Sequence, residues 1–240
     1  MSACRLGVLA FGDSITNGGG ELQWGVALQS WALWVSRGLG LPYTPHAVDG
    51  ATVQDVLANQ IPRARTDTRY DLGCLYVGAN DVRLATWDRA AFERDHRAAL
   101  AFLAERCDRL LTATVPLDLG RPRAGAKVLE ANAAIQASAA AHRALVLDLG
   151  DFRARNLMMP DHVHPTAFGQ IAFAERALDI LARHGLQPRT RPSALISYET
   201  TRRGRLRGDL RYLYRHAKVS ARAAALSASA SARRRRRRAA

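Results

Sequence analysis

The sequence contains few cysteines and no long hydrophobic run. Three cysteines occur in 240 residues, at Cys4, Cys74 and Cys107, and their irregular spacing predicts neither a disulfide framework nor a zinc site. No window approaches the roughly 18 consecutive apolar residues of a membrane span, and no basic-then-apolar leader precedes the first apolar run. These features predict a cytoplasmic protein with reduced thiols and no bound metal.

Three glycine motifs of nucleotide-binding proteins and hydrolases are also missing. The chain has no Gly-x-Gly-x-x-Gly dinucleotide fingerprint and no phosphate-binding Walker loop, so no nucleotide cofactor is expected. It also lacks the Gly-x-Ser-x-Gly elbow of ordinary α/β-hydrolases. Any serine chemistry must therefore use a different turn, and it would need no cofactor.

Acidic residues are scarce in one part of the chain only. Residues 189–240 contain 16 of the 35 Lys and Arg residues but 2 of the 21 Asp and Glu residues, which leaves 19 of each in residues 1–188. The formal net charge of +14 therefore belongs to the C-terminal segment. We expect a neutral domain over residues 1–187 and a basic, largely disordered extension over residues 188–240.

The basic extension also carries a helical pattern. Leu206, Leu210 and Leu213 recur at spacings of four and three, which is typical of an amphipathic helix, and six consecutive arginines follow at 233–238. Such a segment is suited to an anionic membrane surface or to nucleic acid, although a solvated tail without a fixed partner is an equally weighted alternative. A second hypothesis is therefore a binding protein recruited by its tail, peripheral to a membrane in the lipid case.

Short apolar runs alternate with helix-like stretches along residues 6–184. Strands are predicted at 6–11, 43–48, 72–78, 110–115 and 144–149. Helices are predicted at 23–37, 53–64, 89–106, 126–143 and 166–184. Because strands that alternate with helices form parallel sheets through right-handed crossovers, the pattern predicts an α/β fold. We expect a three-layer α/β/α sandwich with five strands in a flavodoxin-like order.

A candidate nucleophile lies where the first strand ends. Gly12 and Asp13 predict a turn there, and Ser14 follows at the carboxyl end of a buried strand. In open α/β sheets that edge is where ligands bind. Serine needs a base to take its proton and preorganised donors for the oxyanion, so partners are expected from other strand ends.

A candidate base lies directly before the last predicted helix. Asp161 stands three residues ahead of His164, and an aspartate at that spacing in a turn can bond one ring nitrogen and leave the other for Ser14. Pro165 favours a helix start at this point. His162 is the rival base, because it adjoins the same aspartate.

Two further strand ends provide candidate oxyanion donors. Asn80 follows the third strand, where its amide can donate across the crevice, although it could equally belong to a turn or cap. Gly50 follows the second strand, and a glycine lets the backbone N–H approach a ligand closely. Gly50 is the weaker signal of the two.

Four short blocks together resemble a known family. They are Gly-Asp-Ser at 12–14, the glycine at position 50, Gly-Ala-Asn-Asp at 78–81 and Asp-His-Val-His at 161–164, in that order. The chain resembles the SGNH (GDSL-type) hydrolases over roughly residues 5–185. The glycine block is the looser match, because Ala47 stands where these hydrolases often have asparagine.

The resemblance implies a set of roles. Ser14 would attack an acyl carbonyl, His164 would act as base and then acid, and Asp161 would orient it. The oxyanion hole would comprise the backbone N–H groups of Ser14 and Gly50 and the side chain of Asn80. The expected activity is hydrolysis of an ester, of the small-acyl or lipid type, through an acyl-enzyme. An acyltransferase or thioesterase of the same fold is the alternative within this class.

The walls of the substrate pocket are less well indicated. Trp24 and Trp87 follow the strands that carry Ser14 and Asn80, and either could line the pocket or simply pack in the core. Met158 precedes the Asp161 turn and could line an apolar acyl pocket, with core packing as the alternative. The sequence leaves the acyl group, the leaving group and the oligomeric state open.

Overall fold

The computed structural model describes residues 5–65 and 67–239, with side chains described up to residue 225. Cys4 and the side chains of the arginine run at 233–238 lie outside this part. Five strands form one all-parallel sheet in the order β2-β1-β3-β4-β5, which confirms the predicted flavodoxin-like α/β fold. They are β1 (Val8–Gly12), β2 (Tyr43–Pro45), β3 (Tyr70–Tyr76), β4 (Cys107–Ala113) and β5 (Leu145–Leu147).

Helices cover both faces of the sheet because its central strands are apolar on both sides. The helices of the domain are α1 (Trp31–Leu39), α2 (beginning at Val53–Asp55), α3 (Arg89–Arg106), α4 (Ala126–Ala141) and α5 (Ala167–Arg183). Helices α1 and α5 share one buried core with the sheet, and α3 and α4 share the other. Every residue of β1 is buried. The strand that precedes Ser14 therefore lies in the middle of the molecule.

The first helix is shorter than predicted. It begins at Trp31 and not at Gln23, because the Ser30 hydroxyl accepts a hydrogen bond from the Ala32 N–H and caps the helix there. Residues 18–25 instead contain several positive-φ positions, including Gly20 and Trp24. This segment is a loop that leads directly away from Ser14.

The second predicted helix has an irregular middle. Val53–Asp55 begins it with a capping box from Thr52 to Asp55, and the chain continues as a π-helix over Val56–Gln60 and a 3-10 turn over Ile61–Arg63. Wide π turns often occur at functional sites. Here the turn brings the buried Gln60 side chain to the end of β1.

The C-terminal extension differs from the expected disorder. After a 3-10 turn at Pro192–Leu195, α6 runs from Arg202 to Ala239 as one α-helix. Alanine, leucine and arginine favour helix, and this composition outweighs the charge repulsion that suggested disorder. No described helix has the length and apolar character needed to cross a membrane. The division into a domain and an extension stays a prediction.

Candidate active site

The turn that carries Ser14 is held by two buried glutamine side chains. Gln60 extends the hydrogen bonding of β1, since its amide donates to the Gly12 carbonyl (2.8 Å) and accepts from the Gly12 N–H (3.0 Å). Gln170, from α5, donates to the carbonyls of Ile15 (2.9 Å) and Gly19 (3.0 Å). The turn is thus fixed from both faces of the sheet.

Gly12 has to be a glycine for steric reasons. Its φ is +155°, and a Cβ at this position would come within 2.5 Å of the Tyr76 carbonyl oxygen and 2.6 Å of the Thr16 hydroxyl. The missing side chain allows β1 to turn sharply beside β3. Ser14 consequently emerges from the sheet edge, partly exposed.

Ser14, His164 and Asp161 form a continuous hydrogen-bonded chain. The Ser14 Oγ lies 2.9 Å from His164 Nε2, and His164 Nδ1 lies 2.8 Å from Asp161 Oδ2. A carboxylate can only accept, so Nδ1 carries the proton and Nε2 is left to accept from the serine. The other Asp161 oxygen accepts from the backbone N–H groups of Val163 (2.9 Å) and His164 (3.1 Å). This arrangement can activate a serine hydroxyl.

His162 lies on the opposite side of the same turn. Its φ is +56°, which turns its ring away from Ser14, and its Nδ1 lies 2.8 Å from Asp118. Arg121 also contacts the ring, at 2.9 Å from Nδ1. Burial and the Arg121 charge lower the pKa of His162. The structure therefore brings His164 to Ser14 and holds His162 elsewhere.

The electrostatics of the turn stabilise positive charge on His164. The hydrogen bond that His164 donates to Asp161 raises the pKa of His164 above its ordinary value of 6.5, and this outweighs the opposing effect of burial. Burial raises the pKa of Asp161, but hydrogen bonds from His164 and from the backbone N–H of Val163 outweigh it and leave that pKa below its usual range. An imidazolium formed when the serine loses its proton would therefore be stabilised.

Two more carboxyl groups are buried close to the triad. Burial raises the pKa of Asp13 to about 7 and that of Asp81 to about 6, although backbone N–H groups from Ile15 and Val53 act in the opposite direction. One oxygen of each carboxyl is buried and has no hydrogen-bond partner among the described residues. Asp13 is therefore neutral over much of the acidic range.

Asn80 and Gly50 lie on neighbouring turns beside Ser14. The Asn80 Nδ2 donates to the carbonyl of Ala51 (3.1 Å), which leaves its second N–H for another acceptor. Gly50 lies in an exposed turn with a φ of +77°. Asn17 Nδ2 donates to Asp49 Oδ1 (2.8 Å) and so ties this turn to the nucleophile loop. The two candidate oxyanion donors are thus connected to each other and to Ser14's loop.

The three pocket candidates lie in different environments. Met158 is 3% exposed and packs in the core that α1 and α5 share with the sheet. Trp87 lines a concavity beside Asp81, and its Nε1 donates to Glu130 (2.8 Å). Trp24 packs against Phe168 and lines a small cavity beneath α6, away from the cleft of Trp87.

Sequence reasoning missed Gln60 and Gln170. Each is a polar residue fully buried on a helix whose neighbouring buried positions are apolar, and that mismatch was the available signal. Their partners are backbone atoms 48 to 155 residues away, which no local pattern reveals.

Metal-binding chemistry has no visible site in the described part of the chain. No group of three or more His, Cys, Asp or Glu side chains there could hold a metal ion. Cys74 and Cys107 are free and buried.

Comparisons with known proteins agree with this fold. A family model described as the GDSL-like Lipase/Acylhydrolase family matches residues 10–171. A search of curated protein sequences finds no match. LAE5, an alpha/beta hydrolase enzyme from the metagenome of Lake Arreo, Spain, is similar in structure, with a TM-score of 0.60, 18% identity, and coverage of 75% of this chain and 96% of that one.

Two further solved structures are similar over the same region. Axe2, an acetylxylan esterase from Geobacillus stearothermophilus, has a TM-score of 0.57 and 18% identity over 74% of this chain and 96% of its own. A protein assigned to the lipolytic G-D-S-L family from Desulfitobacterium hafniense DCB-2 has a TM-score of 0.60 and 17% identity over 73% and 99%. At these identities the structural likeness concerns the fold.

Proposed function

Because the chain belongs to the GDSL-like lipase/acylhydrolase family and is an ester hydrolase, we propose that it cleaves its substrate through an acyl-enzyme on Ser14. The observation that carries this proposal is the chain of short hydrogen bonds from Ser14 through His164 to Asp161, of 2.9 Å and 2.8 Å. A serine, a base and an orienting carboxylate in this order form the usual device for activating a hydroxyl nucleophile.

In the first half of the reaction, Ser14 is acylated. His164 Nε2 takes the hydroxyl proton while Oγ bonds to the ester carbonyl carbon, and the carbonyl oxygen becomes an oxyanion. The tetrahedral intermediate then collapses, the bond to the leaving oxygen breaks, and the proton on Nε2 passes to that oxygen. The alcohol departs and the acyl group stays on Ser14.

In the second half, water replaces the alcohol. His164 removes a proton from the attacking water, a second oxyanion forms, and its collapse releases the carboxylic acid and returns the proton to Ser14 Oγ. Asp161 remains ionised throughout and holds the imidazole in the tautomer that leaves Nε2 free to accept.

The proposed oxyanion hole uses the backbone N–H groups of Ser14 and Gly50 and the side-chain amide of Asn80. Its support is the hydrogen bond from Asn80 to Ala51 at 3.1 Å, which orients the amide beside the Gly50 turn. One such donor typically contributes about 10²–10³-fold to the rate.

The proposed substrate is an ester of small-acyl or lipid type. An acetylxylan esterase shares the fold, which makes an acetyl ester the first substrate to assay. A panel of soluble esters graded by acyl length, compared with the corresponding thioesters, would define the acyl pocket and separate the esterase from a thioesterase. Product analysis in the presence of a second alcohol would detect transferase activity.

The triad assignment is tested with a short-chain aryl ester and an irreversible fluorophosphonate. We expect Ser14→Ala and His164→Ala each to lower kcat/KM by about 10³-fold or more, and the reagent to label the wild type at Ser14 only. His162→Ala is the matched control, because it removes a histidine from the same turn, and it should retain most activity. Wild-type rates in both triad variants would exclude the mechanism.

A further inference from the structure

Helix α6 presents one face to the domain. Gly204, Gly208, Tyr212 and His216 recur every four residues, and each is half-buried while most of their neighbours are exposed. At Gly208 a Cβ would come within 2.5 Å of Trp24 Nε1, so the absence of a side chain lets the helix approach the indole closely. This face is fitted to the loop that follows Ser14.

Charged and aromatic contacts fix this face further. Arg215 pairs with Glu21, and Asp209 pairs with Arg155 at 3.0 Å. The Arg155 guanidinium also lies 5.3 Å from the ring centroid of Tyr212. Glu21 and Arg155 belong to loops of the domain that flank the Asp161–His164 turn. Glu21 comes shortly after Ser14 in the chain, and Arg155 comes shortly before Asp161. Helix α6 is therefore held beside the candidate active site.

The opposite face of α6 carries large apolar side chains in solvent. Leu206, Leu210 and Leu213 are 60%, 60% and 52% exposed, and Tyr214 is 69% exposed. At 100° per residue, Leu206 and Leu210 point about 160° away from Gly208. The domain therefore cannot cover this stripe while Gly208 faces Trp24.

The charge around the stripe is almost entirely positive. Apart from Arg215, which pairs with Glu21, the exposed basic residues of this part of the helix are Arg202, Arg203, Arg205, Arg207, Arg211, Lys218 and Arg222. The one acidic residue within Arg202–Arg222 is Asp209, and Arg155 of the domain pairs with it. A partner for this face must supply both apolar contact and negative charge.

We propose that the outer face of α6, defined here as Leu206, Leu210, Leu213 and Tyr214 with their flanking arginines, binds an anionic lipid membrane. An amphipathic helix of this kind lies in the interface, with its apolar side chains at the acyl boundary and its cationic side chains among the headgroups. Nucleic acid would match the charge but would leave the leucines in water. A second copy of α6 would cover the leucines but would bring like charges together.

The consequence is an enzyme held at the membrane by the helix that borders its site. Because Gly208, which faces Trp24, and Arg215, which pairs with Glu21, lie on the face opposite the leucines, both faces of α6 can be occupied together. The domain then stays attached while the helix lies on the lipid.

The test uses the full chain and vesicles of equal parts phosphatidylglycerol and phosphatidylcholine in about 0.15 M salt. Changing Leu206, Leu210 and Leu213 together to Ser should weaken partitioning at least about tenfold in co-sedimentation, because the apolar part of binding is lost. The matched control changes three exposed leucines outside α6 to Ser, at Leu117, Leu129 and Leu195, and should bind like the wild type. Hydrolysis of a soluble ester should be unchanged in both.

A second measurement reports on insertion directly. Tyr214→Trp should gain fluorescence quenching by brominated phosphatidylglycerol, and Leu129→Trp, at a similarly exposed site on α4, should gain none. Equal vesicle binding by the leucine variant and the wild type would overturn the proposal, since binding would then be electrostatic only. Binding to duplex DNA without binding to vesicles would also overturn the proposal. So would a wild-type dimer that does not bind vesicles and that dissociates in the leucine variant.

Discussion

The domain and helix α6 are built on different principles. Residues 1–188 contain 19 basic and 19 acidic groups, and their polar site is held by buried hydrogen bonds. Residues 189–240 contain 16 basic and 2 acidic groups, and α6 meets the domain through surface ion pairs and a glycine contact. Chemistry requires side chains fixed in position, whereas adhesion requires charge and apolar area. Substitutions in the domain should therefore have much larger effects than substitutions at the α6 contact.

After Ser14→Ala and His164→Ala, the largest of these effects is expected from Asp161→Asn. The variant removes the carboxylate that orients His164, so kcat/KM should fall at least about 10²-fold. It also removes the hydrogen bond that raises the pKa of His164, so the acid limb of the remaining activity should move to lower pH. A profile of kcat/KM from about pH 5 to 9 checks both. An acid limb of the pH profile at the wild-type position would mean that Asp161 does not raise the pKa of His164.

The next effect tests how firmly the nucleophile turn is held. Gln170→Ala removes three hydrogen bonds to the backbone, those to Ile15 and Gly19 and the one from Trp31, and leaves a buried gap. The free energy of unfolding should fall by about 2–4 kcal/mol, as measured by urea denaturation. Gln187→Ala removes an exposed glutamine with one such bond and should cost less than about 0.5 kcal/mol. Similar losses of unfolding free energy in the two variants would show that the turn that carries Ser14 does not depend on Gln170.

An effect of opposite sign is expected at Asp13. Burial raises its pKa from 3.8 to about 7, so the folded state binds more protons than the unfolded state between those values. Stability therefore falls as the pH rises through this window, and the whole cost is present above about pH 7.

Asp13→Asn keeps an acceptor for the Ile15 N–H and removes the buried charge. It should raise the free energy of unfolding by about 4 kcal/mol at pH 8 and by almost nothing near pH 4, as followed by urea denaturation at several pH values. Asp151→Asn changes an exposed carboxyl and should show no such gain at high pH. If the free energy of unfolding of Asp13→Asn differed from that of the wild type by the same amount at every pH, the raised pKa of Asp13 would be contradicted.

The sequence predicts the domain better than its details. Alternating apolar runs are enough to predict the five parallel strands, because the central strands β1, β3 and β4 are rich in hydrophobic residues that the sheet buries. The start of α1 was missed, since the Ser30 cap competes with an apolar pattern that continues into the preceding loop. The contacts of Gln60 and Gln170 join residues far apart in sequence, so no local pattern could predict them.

The structure of the C-terminal segment is harder still to predict from the sequence. Charge density predicts disorder and composition predicts helix, and the structure has helix through Ala239. Leu206, Leu210 and Leu213 indicate an amphipathic helix, but the sequence does not say which face meets the domain. That assignment depends on Gly208, which weakens the predicted helix and yet lets it approach Trp24 closely, because a Cβ there would meet the indole.

The smallest effect is expected where α6 meets the domain. Arg155→Ala removes the 3.0 Å ion pair with Asp209 and the contact with the Tyr212 ring. Both partners are partly exposed, so the free energy of unfolding should change by less than about 1 kcal/mol. Amide hydrogen exchange over residues 208–216 should nevertheless become several-fold faster, because the helix loses part of its attachment.

Arg176→Ala is the matched control for Arg155→Ala. Arg176 also pairs with an aspartate, Asp151 at 2.8 Å, and lies over an aromatic ring, that of Phe152 at 5.2 Å, but both partners belong to the domain. Loss of the Arg176 side chain should therefore leave amide hydrogen exchange in α6 unchanged. The opposite outcome would be a fall of about 3 kcal/mol in the free energy of unfolding of the whole chain, with amide hydrogen exchange in α6 unchanged. Only a buried and cooperative contact costs that much, so α6 would then be an integral part of the domain.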